Sequence, residues 1–167
     1  MRKPYPIFVS SSERILFFAY SIEMSKNAYT MYENAIEILK SLNWYKDRYK
    51  ICAIVYKHHS IISIGLASKD HIEHITPSTH AEVNAFEKIR GNVRNVDVVI
   101  ARIGTGKNKT RLRCKPCYHC VKFLKEKSIR RISYFNGEQF ITERLNTLST
   151  DHISKGWKSR INRTYVE

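Results

Sequence analysis

Acidic residues are scarce in this chain of 167 residues: 15 Asp and Glu stand against 29 Lys and Arg, a formal net charge of +14. Glycine (6) and proline (4) are also few, which leaves little material for long flexible linkers. No apolar run approaches the roughly 18 residues that a membrane-spanning helix needs. The best apolar stretch, Ile15 to Ile22, is short and flanked by Glu13 and Glu23. The first residues lack the ordered basic start, unbroken apolar core and small-residue cleavage site of a secretory signal. The expectation is therefore a soluble, intracellular, cytoplasmic protein with no membrane partner. Only four cysteines occur, Cys52, Cys114, Cys117 and Cys120, and three of them fall in one short segment. In an intracellular chain that clustering points to metal or redox chemistry before a disulfide scaffold.

What remains is an ordinary globular composition, 43% hydrophobic, 11% aromatic and 26% charged, which excludes a disordered or fibrous chain. The length suits one domain over residues 1–167, with an N-terminal extension over 1–24 and a basic C-terminal tail over 149–167. The excess positive charge attracts polyanions such as phosphates or nucleic acid, or is a solvated basic surface.

Periodicity supplies the elements. Ala28, Met31, Tyr32, Ala35, Ile36 and Leu39 follow helix spacing and predict a helix over Ser25–Leu42, capped by Ser25 or Asn27. Lys50–Tyr56 and Ile61–Leu66 read as a strand hairpin turning at His58–Ser60. A polar loop, Ala67–Pro77, leads to a helix capped by Ser78 or Thr79, running to about Arg90 and stopped by Gly91. Val96–Ile103 is almost wholly apolar, as in a strand buried on both faces. After a basic loop, Gly104–Arg113, Pro116 opens a helix over Cys117–Lys127. Arg131–Phe135 is a strand. Asn136-Gly137 then signals a two-residue hairpin, and Gln139–Leu145 is its partner strand or a helix start. Strands alternating with helices predict a layered α/β domain with a mixed sheet.

Two motifs carry chemistry. One is His80-Ala81-Glu82, and the other is Pro116-Cys117-Tyr118-His119-Cys120. Each is weak alone. Together, in this order and each at a helix start, they form the H-x-E…P-C-x-x-C signature of zinc deaminases. A catalytic zinc site takes three protein ligands and keeps a fourth position for water. His80, Cys117 and Cys120 provide one nitrogen and two thiolates. The two cysteines are three residues apart and share a face of the first helical turn, whose partial positive charge favours thiolates. Glu82 lies two residues past the first ligand and suits proton transfer rather than ligation. Ala81 is small and leaves room for a flat base above the metal.

The segment from about Lys50 to Phe135 resembles the cytidine deaminase superfamily. The resemblance implies a three-layer α/β/α fold with a mixed five-stranded sheet and helices on both faces. It implies Zn2+ held by His80, Cys117 and Cys120, and hydrolytic deamination through a zinc-activated water with Glu82 as proton shuttle. The expected substrate is a cytosine nucleoside or nucleotide. The alternatives are a cytosine or adenine deaminase acting on RNA or single-stranded DNA, and a zinc-stabilised binding protein without turnover. His80-Ala81-Glu82-Val83-Asn84-Ala85 is similar to deoxycytidylate deaminases, whereas Tyr118 after the first cysteine is similar to polynucleotide cytosine deaminases. An antiparallel final strand pair is the arrangement of the superfamily's free-cytidine enzymes, and a homo-oligomer is expected from the resemblance. This chain departs from the family after Gly65. Ala67 stands where many members carry a sugar-contacting Asn, and Ser68 is the candidate replacement.

The neighbouring residues have two readings each. Tyr118 either lies beside the base or packs on the helix side. His119 either reaches substrate phosphate or faces solvent. Arg113 and Lys115, in the basic segment Lys107–Lys115, either clamp a phosphate or nucleic-acid backbone at the site mouth or belong to a solvated face. Cys114 is a structural residue before it is a spare ligand, and Cys52 is a buried small hydrophobe.

Overall fold

The computed structural model describes residues 27–42, 49–67, 80–104 and 110–154. Helix α1 covers 27–41. It is followed by strand β1 (Tyr49–Lys57), strand β2 (Ser60–Leu66), helix α2 (Ala81–Glu87), strand β3 (Asp97–Gly104), helix α3 (Tyr118–Glu126), strand β4 (Arg131–Phe135) and strand β5 (Phe140–Arg144). Residues 1–24 and the tail beyond 154 lie outside the described residues, as do Ser25, Ser78 and Thr79.

The five strands form one mixed sheet in the order β2-β1-β3-β4-β5. β1 is antiparallel to both β2 and β3, β3 is parallel to β4, and β4 is antiparallel to β5. Strand side chains alternate between faces, so one sheet feeds two cores. Cys52, Ile54 and Tyr56 of β1, with Val99, Ala101 and Ile103 of β3, pack under Met31, Tyr32, Ile36 and Leu39 of α1. Ala53, Val55, Val98, Ile100, Ile132 and Tyr134 pack on the opposite face with Ala81 and Ala85 of α2 and Val121 and Leu124 of α3. The result is the expected three-layer α/β/α arrangement. Burial pushes the Cys52 thiol up to about 12, as befits a core residue.

Four details differ from the expectations. α2 starts with His80 itself as N-cap and ends at Glu87, with Lys88 as C-cap, short of Arg90. Ile89 and Val93 turn inward against the core, so burial overrides the helix-forming tendency of Lys-Ile-Arg. Gly91 has φ +91° in the following loop rather than at the helix end. Pro116 precedes the N-cap Cys117 rather than opening the helix. The β4–β5 connection spans residues 136–139. The Asn136 amide donates to the Gln139 carbonyl, while Asn136 Oδ1 accepts from the Glu138 and Gln139 amides, each at 2.9 Å. Gly137 (φ +111°) and Glu138 are therefore the central pair, and Asn136 closes the turn with its side chain. Gln139–Leu145 is a strand partner, not a helix.

Topology fixes where a site can form. β2, β3 and β4 run in one direction, and α2 and α3 both begin at their C-terminal edge, the usual place for ligands in open α/β sheets. α2 is held there by β2. Ser63 Oγ donates to the Ala85 carbonyl at 2.7 Å, Lys88 Nζ to the Ile64 carbonyl at 2.9 Å, and the Leu66 amide to Asn84 Oδ1 at 3.1 Å. At Gly65 the backbones touch: a Cβ there would overlap the Ala81 carbonyl oxygen and the Ala85 amide. A glycine inside a strand often marks such an approach.

Gly65→Ala is expected to lower stability by about 1–3 kcal/mol or more, the range of overpacking that the backbone must absorb. Gly104→Ala, whose new methyl meets nothing closer than 3.8 Å, is expected to stay within about 0.5 kcal/mol of wild type. Equilibrium urea unfolding of both variants measures the difference; equal midpoints would show that α2 is not seated on Gly65.

Candidate metal centre

Two short helices aim their first residues at each other. His80 caps α2 with extended backbone (φ −71°, ψ 149°), and Cys117 caps α3 in the same conformation (φ −76°, ψ 165°). The His80 side chain makes no capping bond to its own helix, and the Cys117 sulfur is turned toward Cys120 and His80. Both turn outward and meet. His80 Nδ1 lies 3.0 Å from Cys120 Sγ and 3.5 Å from Cys117 Sγ. All three donor atoms fall within 4.8 Å of one another. Cys117 and Cys120 are buried and His80 is half-buried, so the cluster opens on one side.

The electrostatics of this cluster favour a thiolate at Cys117. The Cys120 thiol hydrogen bond and that of His80 hold the Cys117 thiol down to about 3, against the upward pull of burial. Cys120 is pushed up by its bond to Cys117 and by burial. The His80 imidazole is held above its usual value by Cys117. One thiolate is thus stabilised by two donors that share a single proton network. A divalent ion such as zinc would replace those protons and could take a lone pair from each of the three residues. One nitrogen and two sulfurs are the donor set of a three-ligand zinc site, and the residues present fit that ion.

Glu82 sits in the first turn of α2, 5% exposed. Burial pushes its carboxyl up, and a hydrogen bond with Cys120 offsets only part of that shift. It stands beside the triad without belonging to it. Cys114 is likewise outside the triad. Its thiol donates to the Ile100 carbonyl at 3.2 Å, its amide to the Phe135 carbonyl at 3.0 Å, and burial raises the thiol to about 12. It is a neutral core group tying the α3 approach to β3 and β4, which is the structural reading.

The remaining sequence candidates are scattered. Ala81 is 1% exposed and belongs to the core beneath α2. Its small side chain is part of that core, while its backbone carbonyl faces Gly65 of β2. Tyr118 is 51% exposed, beside the site, and stands edge-on to His119 with ring centroids 5.4 Å apart. Ser68 lies outside the described residues. Arg113 is exposed near the β4–β5 turn, where its Cβ is 3.8 Å from the position a Gly137 side chain would take. Lys115 is partly buried between Arg113 and the ligand turn. The basic segment is partly spent on structure. Residues 110–112 pair with the end of β3, and Arg111 binds Glu33 of α1 at 2.8 Å over the Tyr32 ring.

Contacts that the sequence did not specify complete the frame. Asn84 fastens the end of β2 to α2, four residues past His80. The His152 carbonyl accepts the Tyr118 amide at 2.8 Å, and the Leu148 carbonyl accepts Lys125 Nζ at 3.0 Å. The start of the tail therefore folds back onto the helix that carries both cysteines. A glycine inside β2 was the available signal for the first clamp; nothing in the sequence marked the second.

An α/β/α sandwich thus gathers one His and two Cys from two helix starts, with a buried glutamate at their side, in an arrangement that could hold a metal ion. The family model described as the cytidine and deoxycytidylate deaminase zinc-binding region matches residues 7–136, and the chain belongs to this family. Among solved structures it is similar to a dCMP deaminase from the cyanophage S-TIM5, at 19% identity over 71% of this chain and 86% of that one, TM-score 0.44. It is also similar to the cytidine deaminase of Mycobacterium tuberculosis, at 15% identity over 75% of this chain and 97% of that one, TM-score 0.46. A third likeness is to Acinetobacter baumannii RibD, at 17% identity over 65% of this chain and 28% of that one, TM-score 0.44. A search of curated protein sequences finds no match.

Purified chain is expected to carry about one zinc per molecule, the capacity of a single three-ligand site. Cys117→Ser and His80→Ala are expected to lose it, and Cys114→Ala to keep it. Elemental analysis after dialysis decides: zinc lost from Cys114→Ala would place that thiol in the site.

Proposed function

We propose that the chain is a zinc-dependent hydrolytic deaminase of cytosine nucleosides or nucleotides. The observation that carries this reading is Glu82: an acid buried against a three-donor metal cluster, on the same helix turn as one donor, and not itself a donor. A binding protein without turnover has no use for it. A purely structural zinc site closes its fourth position with protein, and the nearest spare thiol, Cys114, is committed to the Ile100 carbonyl.

Zinc held by His80, Cys117 and Cys120 supplies Lewis acidity that brings the pKa of water from 15.7 towards about 7. The proton work falls to Glu82. Its carboxylate accepts a proton from the water that attacks C4 of cytosine and gives it to the ring nitrogen N3. Glu82, again a carboxylate, then takes the proton of the new C4 hydroxyl and passes it to the departing amine. The C4–N bond then breaks, ammonia leaves, and C4 keeps the oxygen as a carbonyl. Burial raises the proton affinity of Glu82, which suits a group that must hold a proton between two transfers. The exposed Tyr118 ring flanks the opening and offers a flat face to the base.

A free nucleoside or nucleotide is favoured over a polynucleotide by the antiparallel β4/β5 pair, which the resemblance associates with free-cytidine enzymes. Arg113 and Lys115 are the candidates for a substrate phosphate, and Ser68 for the sugar. Self-association is part of the proposal: edge strand β2 exposes Ile61 and Ile62, a surface a second copy would cover.

Ammonia release from cytidine, deoxycytidine and their monophosphates, beside a cytosine-containing single-stranded oligonucleotide, tests the reading. Release from a small substrate is expected. Glu82→Gln should lower kcat by about 10²–10⁴-fold, the usual contribution of a positioned acid–base group, while retaining zinc. Release from the oligonucleotide alone would overturn the substrate class, and undiminished turnover by Glu82→Gln would overturn the shuttle.

A further inference from the structure

The chain beyond β5 runs back along α3. Leu145 and Leu148 are buried in the core that α2 and α3 share. Lys125 Nζ, in the last turn of α3, donates to the Leu148 carbonyl at 3.0 Å. Four residues later the His152 carbonyl accepts the Tyr118 amide at 2.8 Å. Residues 148–152 therefore pass from the end of α3 to its beginning. A local turn braces the last of them: the His152 amide donates to Thr150 Oγ1 at 3.2 Å. Ile153 and Ser154, just beyond, are half-buried.

The bond lands on one particular peptide group. Tyr118 is the first residue of α3, and its amide belongs to the peptide that follows Cys117. The first amides of a helix have no acceptor inside it. In α3 the Cys120 amide bonds the Cys117 sulfur. The Tyr118 amide goes to His152 instead. The carbonyl of the same peptide accepts the Val121 amide at 2.9 Å. The Cys117–Tyr118 peptide is thus held at both ends, its oxygen by the helix and its N–H by the returning chain. Holding that plane with Cys117 at ψ 165° fixes the direction in which the Cys117 side chain leaves the helix that also carries Cys120. Groups one step behind a metal ligand orient it, and losing one typically costs about 10–100-fold in metal affinity.

We propose that the main-chain carbonyl of His152 is a positioning group of the metal centre: by holding the Cys117–Tyr118 peptide it aims the Cys117 sulfur and sets how tightly zinc is held. The inference rests on Cys117 as a zinc ligand and is independent of the reaction and its substrate.

The test measures the zinc dissociation constant of full-length variants by competition with a chromophoric chelator. Tyr118→Pro removes the amide hydrogen at the first helical position, where proline is favoured, and the extended Cys117 already has the conformation a residue before proline adopts. Tyr118→Ala removes the ring and keeps the amide. Tyr118→Pro is expected to weaken zinc binding about 10-fold, and Tyr118→Ala to keep the wild-type affinity. Thr150→Ala, which loosens the brace on His152, is expected to weaken zinc about 3-fold in the wild-type background. It should have no effect in the Tyr118→Pro background, where the carbonyl has nothing to hold. The metal-free forms of the two Tyr118 variants are expected to share one Tm. Wild-type affinity in Tyr118→Pro, equal losses in both Tyr118 variants, or a Thr150→Ala loss that persists beside Tyr118→Pro would overturn the proposal. A lower metal-free Tm for Tyr118→Pro than for Tyr118→Ala would overturn it in favour of a bond that supports the fold. A wild-type chain that binds no zinc would overturn the metal centre itself, and this role with it.

Discussion

The backbone of α2 rests directly on Gly65, and the metal centre depends on that contact. No side chain fits between helix and strand at this point. Three further bonds, from Ser63, Leu66 and Lys88, fix the helix along β2. α2 is only seven residues long, too short to hold its own shape in water. Its position is therefore set by the sheet. Because it cannot slide or tilt, its N-cap residue arrives opposite the N-cap residue of α3. The donor atoms meet without either helix bending.

The second helix is held differently. The pairing of residues 110–112 with β3, the Cys114 bonds to β3 and β4, and the returned chain at Leu148 and His152 locate its first turn. Each anchor is a backbone or core contact that leaves the cysteine side chains free for the metal. The site therefore combines a rigid support with three donors turned toward one another. Such pre-organisation suits the proposed three-ligand site, in which a fourth position would be left for water. The turn that presents His80 also buries the Glu82 carboxyl beside it, the placement on which its proposed role rests.

The centre of the site was legible in the sequence and its surroundings were not. His-x-Glu and Pro-Cys-x-x-Cys name the donors because ligand chemistry fixes both residue type and spacing. The strands were legible because β1 and β3 are rich in Ile and Val. Boundaries failed where tertiary contacts decide: α2 ends early because Ile89 is drawn into the core. The Asn136-Gly137 signal placed the turn one residue early, since the Asn side chain closes the loop instead of occupying its centre. The basic loop was the least legible feature. Periodicity says nothing about which charge finds a partner, and Arg111 finds Glu33, 78 residues away in sequence. Net charge likewise gives no direction. Only the strand register shows that Arg131 and Arg144 face each other far from the metal.

The proposed centre is an open three-ligand site in which Cys114 takes no part. Zinc K-edge absorption on the wild-type chain tests this most directly. The predicted first shell is two sulfurs at about 2.3 Å and two nitrogen or oxygen atoms at about 2.0–2.1 Å, one of them from solvent. A shell of three sulfurs would contradict it, because the site would then be closed by Cys114 and have no position for a reacting water.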